Sequence, residues 1–171
     1  MDKKTMLHDM QRNWQRLVSA VEGVPHDELE HAALSNGRSI KAACGLLTAW
    51  DGEAMRRIRF AIGERTTPPH DPLDADYWTA WAERQIEVKN VMPIRGVMID
   101  MIGTRRRLLE LIESLDDAQF QRWIASDPHA GATQFAETAT LVEQWRETWN
   151  TTRPSASKKL LGGLKKLLGG D

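Results

Sequence analysis

The chain has one cysteine, one tyrosine, three phenylalanines and no run of 18 apolar residues. Each shortage excludes something. A lone Cys44 rules out an internal disulfide and any zinc site built on several thiolates. Without a long apolar run a transmembrane helix is excluded, and the opening Met1-Asp2-Lys3-Lys4 lacks the apolar stretch of a secretory leader. A soluble, cytoplasmic protein is therefore expected. Charge of one sign is also missing: 23 Lys+Arg stand against 24 Asp+Glu, and a net charge of -1 gives no field for attracting nucleic acid. What remains is a chain of 171 residues, 41% hydrophobic, which suits one domain able to bury a core without staples.

Apolar residues recur at spacings of three and four, and strand-like alternation is nowhere sustained. Leu7, Met10, Trp14, Leu17 and Val21 form a first stripe, ended by Gly23 and Pro25. A polar connection follows, with Asn36-Gly37 as its turn signal, and Ser39 stands where an N-cap belongs. Ile40, Ala43, Leu47, Trp50, Ala54 and Ile58 make the second stripe, which should stop at Gly63. A third segment opens near Asp74 and carries Tyr77, Trp78, Trp81 and Ile86. Because a proline inside a helix removes a hydrogen bond and clashes with the preceding turn, a break is expected near Asn90 with a fresh start at Pro93. Val97, Met101, Leu108, Ile112 and Leu115 then line a long third helix. After a loop at Asp127-Pro128, Thr133 is placed to cap a fourth helix bearing Phe135, Leu141, Val142, Trp145 and Trp149, with Pro154 at its end. The fold class is all-α: a four-helix bundle over residues 1–154, with connections long enough for crossovers.

Residues 155–171 have a different composition. After Ser155-Ala156-Ser157 comes a heptad written twice, KKLLGGL then KKLLGGD. On a helix Leu160, Leu161, Leu164, Leu167 and Leu168 fall within about 120°, opposite Lys158, Lys159, Lys165 and Lys166. Such a tail suits weak contact with an anionic membrane or with a partner. Docking on the bundle and an engineered extension are the competing readings, and four glycines at about 1 kcal/mol each oppose helix formation in free solution.

The stretch 39–51, SIKAACGLLTAWD, resembles the second helix of the DinB/YfiT-like family, where Ser-x-Lys opens the helix and His-x-x-x-Trp follows. Residues 143–148, EQWRET, resemble that family's Glu-His-Tyr-Arg-Glu-His, and the stretch 105–119 resembles the segment between these motifs in the ClbS-like branch. The resemblance implies the four-helix bundle, a homodimer, and a divalent metal held by three histidines. Carried over residue by residue, those ligands fall on Leu46, Gln144 and Thr148. Leucine has no donor atom, and an amide and a hydroxyl are weak partners for a transition metal. No metal and no other cofactor is therefore expected. The five histidines, His8, His26, His31, His70 and His129, have no spacing that would build another metal site.

A pocket is still expected where Leu46, Trp50, Gln144, Trp145 and Thr148 converge, apolar and aromatic with a few polar groups. The competing reading is that the tryptophans are simply core. Asp51 and Glu53, or Glu143 and Glu147, are candidate carboxylate bases, though acids on helices usually face water and here have Arg56, Arg57 and Arg146 to pair with. Cys44 has no base near it and reads as a structural thiol. Trp78 and Trp81 line a pocket mouth or staple the loop before them. Arg105-Arg106-Arg107 reads as a solvated helix face. The ClbS-like branch implies protection against a reactive small molecule, here without metal; the alternative is a non-catalytic dimeric binding or scaffold module whose tail sets its location.

Overall fold

A computed structural model describes residues 2–127, 129, 130 and 134–152. The twin-heptad tail, the Thr133 cap and the Pro154 stop lie outside the described residues. Seven helices appear within them: α1 (Lys3–Val21), α2 (His26–His31), α3 (Ile40–Ala61), α4 (Ala75–Asn90), α5 (Ile94–Ser114), α6 (Asp117–Ser126) and α7 (Gln134–Thr152). The fold is all-helical, and the four main helices expected are α1, α3, α5 and α7.

The starts are set by side chains that satisfy orphan backbone donors. Asp2 accepts from the Thr5 N–H, Ser39 from Ala42 and Asp74 from Tyr77. Asp116 and Gln119 form a reciprocal capping box at α6. Pro93 breaks the chain between α4 and α5 as expected, and having no capping side chain it leaves the Ile94 N–H to Glu30 of α2, at 2.9 Å. Two helices were not anticipated. α2 is one short turn pair inside the polar connection, too brief to show a period; α6 is separated from α5 only by Leu115 and Asp116.

Trp14 packs on Phe135, and two residues further on Arg16 pairs with Glu143, so α1 and α7 run in the same direction. α3 and α5 also run together: Ile40, Ala43 and Leu47 share one core with Ile94, Val97 and Met101, while Ile58 shares another with Leu108 and Ile112. The upper core gathers α1, α2, α3, α5 and α7 around Leu17, Leu47, Val97 and Val142. The lower core gathers Met6, Ile58, Leu108, Ile112, Phe120 and Trp123, with α6 closing it. α4 lies outside against α3, where Gly45 allows close approach: a Cβ there would stand 2.7 Å from the Lys89 Cβ. Among the described residues no helix is long and apolar enough to cross a membrane.

Candidate functional site

A layer of buried charge lies between the two cores. Asp51, Glu53 and Arg57 of α3, Thr104 and Arg105 of α5, and Asp127 after α6 are all buried. Ionised side chains out of water cost several kcal/mol each unless paired and hydrogen-bonded, so their partners matter. Glu53 receives Arg56 Nε and Nη2 and Arg57 Nε, at 2.7 to 2.9 Å. Arg57 also reaches Asp127 Oδ1 and the His70 carbonyl, while Asp127 Oδ2 accepts from the Trp123 indole. This half of the layer is fully used.

The other half is not. Asp51 Oδ1 accepts from Arg105 Nη1 at 2.9 Å, and Arg105 Nη2 donates to the Met10 carbonyl at 3.2 Å. The guanidinium lies 3.9 Å from the Phe135 ring centre, a cation–π contact that partly replaces lost hydration. Asp51 Oδ2 and Arg105 Nε are buried and have no partner among the described residues. Burial pushes the Asp51 carboxyl up to about 6, against the opposing pull of Arg105, and burial likewise lowers the Arg105 guanidinium. A carboxylate titrating there can take a proton from a bound molecule near neutrality.

Asp51 and Arg105 line a cavity with Met10, Trp50, Ala54, Leu108, Ile112, Trp123 and Phe135; Arg57, Glu53 and Asp127 form its charged side. Its water-accessible volume is about 70 Å³, several times what one water needs. The site thus joins α1, α3, α5, α6 and the start of α7.

These positions correct part of the sequence expectation. Of the five residues expected to converge, Trp50 lines this cavity, and Leu46 with Trp50 lines a separate recess of about 160 Å³ beside Thr138 and Leu141 of α7. Gln144 and Thr148 are exposed, and Trp145 packs against the upper core. The reason is rotational. α7 buries Phe135, Ala139 and Val142, and at about 100° per residue Gln144 and Thr148 stand on the far side from Val142. Asp51 and Glu53, candidate bases or else water-facing acids paired with arginines, are both buried, and Glu53 does pair with Arg56 and Arg57; Arg105 was expected on a solvated face and is buried, while Arg106 and Arg107 are exposed. Glu143 pairs with Arg16 of α1, and Glu147 is exposed on α7. Trp78 staples the loop through its indole on the Asp71 carbonyl, 2.9 Å, and Trp81 packs tilted against Trp50, ring centres 4.7 Å apart, beside an outer basin. Cys44 is buried, and burial pushes its thiol up to about 12, so it is no nucleophile at neutral pH.

A signal for Arg105 was present. Met101, Arg105, Leu108 and Ile112 fall at i, i+4, i+7 and i+11, so a charged residue occupies a core position of that stripe, and Asp51 does the same between Leu47 and Ile58.

A bundle with paired parallel helices and an interior cavity at mid-height defines a class of helical small domain rather than one protein. Within that class the chain belongs to the DinB superfamily, whose family model matches residues 9–144. No curated protein and no solved structure matches it. The three positions that the resemblance assigns to the family's metal-binding histidines do not fit a metal. Leu46, Gln144 and Thr148 supply no set of strong donors and are not brought to one site, and among the described residues no three His, Cys, Asp or Glu side chains group as ligands would.

Proposed function

We propose that the protein binds a small organic molecule in the cavity between its two cores, without a metal, with Asp51 as the group that takes a hydrogen bond or a proton from it. One observation carries this reading: a buried ion pair on the cavity wall leaves Asp51 Oδ2 and Arg105 Nε without a partner among the described residues. Unpaired buried polar atoms cost about 1–3 kcal/mol each, a cost that structural packing alone does not require and that binding sites commonly carry. The resemblance of the stretch 105–119 to the ClbS-like branch supports a role in intercepting a reactive small molecule, and the wider family resemblance of 39–51 and 143–148 supports a cytoplasmic homodimer. A non-catalytic binding module would use the same cavity and release its ligand unchanged.

The test is a titration with two small aromatic probes, toluene and benzyl alcohol, read on the indole N–H signal of Trp123 in NMR spectra. Saturable shifts are expected with at least one probe, unchanged by a chelator and lost in Ala54→Phe, which fills the cavity. No saturable response in the folded wild type would overturn the reading.

A further inference from the structure

The charged layer restricts what such a ligand can be. Glu53 faces Arg56 and Arg57, Asp127 faces Arg57, and Asp51 faces Arg105, so three carboxylates meet three guanidiniums. An ion entering this balance brings a buried charge with no counter-charge waiting for it. The hydrogen-bonding capacity is equally specific. Both oxygens of Glu53 and of Asp127, and all three nitrogens of Arg57, already have partners. Among the described residues, the charged lining atoms with no partner at all are one carboxylate oxygen, Asp51 Oδ2, and one guanidinium nitrogen, Arg105 Nε, while Gln134 and His129 add neutral polar groups to the wall. A hydrocarbon would fill the apolar part against Leu108 and Ile112 but leave both unsatisfied.

We infer that the cavity selects uncharged molecules carrying a hydroxyl or amide on an apolar body, the ligand's O–H or N–H donating to Asp51 Oδ2, over ions and over plain hydrocarbons of the same size. This rests on the binding proposed above and narrows it to a chemical class. Asp51 is then the residue that sets specificity, and Arg105 holds it in place while offering Nε to a ligand oxygen.

Four probes of one shape separate the possibilities: benzyl alcohol, toluene, benzoate and benzylammonium, titrated at pH 7.5 into the full-length protein. Benzyl alcohol is expected to bind about tenfold more tightly than each of the others, the effect of one hydrogen bond to a charged group. In Asp51→Leu its advantage over toluene should fall to within about twofold. If that variant does not fold, the double change Asp51→Leu with Arg105→Met removes both charges together and serves the same comparison. Toluene, benzoate or benzylammonium binding as well as benzyl alcohol in the wild type would overturn the class while leaving the cavity as a binding site. An undiminished preference for benzyl alcohol in a folded variant would do the same. Absence of binding by all four would remove both the class and the site.

Discussion

Asp51 and Arg105 show how much can depend on two residues. Each is 4% exposed, and among the described residues each is the other's only ionic partner. Removing one leaves the other charged and buried, which costs about 3–5 kcal/mol in comparable cases. Asp51→Ala is therefore expected to lower unfolding stability by about that much in urea, whereas Asp51→Leu with Arg105→Met should be close to neutral; equal loss in both would mean that the pair is not what holds α3 on α5. The pH dependence has a definite sign. The folded carboxyl titrates near 6 and the ordinary value is 3.8, so between those values the folded state holds the extra proton. This group's contribution is full below about 3.8 and is lost as pH rises through 6. The stability of wild type relative to Asp51→Asn should thus be greater at pH 4.5 than at pH 7.5, and a difference growing with pH would contradict the burial of Asp51.

At the level of helices, most of what the sequence announces is punctuation. Ser39, Asp74 and Pro93 each mark a start because a cap or a fixed φ acts locally, within four residues. The short helix α2 carried the same mark in Pro25 but with six residues is too brief to show a period, and the rotation of α7 depends on its packing along α1, which no local pattern encodes. The candidate site was hidden for a related reason. A charged residue in an apolar stripe reads as surface until its partner on another helix is known, and Asp51 and Arg105 are 54 residues apart in the chain. The gaps they leave in two stripes were visible; their complementarity was not. One contact between helices is open to a simple check. Gly45→Ala places a methyl 2.7 Å from the Lys89 Cβ, close to backbone and unable to swing away. The substitution should force α3 and α4 apart and cost about 1–3 kcal/mol in thermal or urea unfolding. Unchanged stability would mean that the two helices do not approach so closely.

For the molecule as a whole, the bundle contains the two cores and the cavity, and the match to the DinB superfamily ends at residue 144. Residues 158–171 add four lysines and one aspartate; without them the net charge goes from -1 to -4. A body of that charge is repelled by an anionic surface, so any affinity for acidic lipid has to come from the tail. Weak, salt-sensitive sedimentation with anionic vesicles is expected of the full chain and not of residues 1–157, while cooperative melting should be nearly the same for both. Equal sedimentation of the two chains would remove the tail from this role, and a stability loss above about 2 kcal/mol would show its leucines to be part of the core.

All of this turns on a carboxylate buried beside a cavity with one oxygen still to be satisfied. Its titration can be followed directly from the side-chain carboxyl signal of Asp51, assigned with Asp51→Asn, in carbon NMR spectra of the full-length protein. The midpoint is predicted near 6, moving on addition of benzyl alcohol in the wild type but not in the cavity-filled Ala54→Phe. A midpoint near the ordinary 3.8, indifferent to the probe, would contradict both the burial of this group and its place in a binding site.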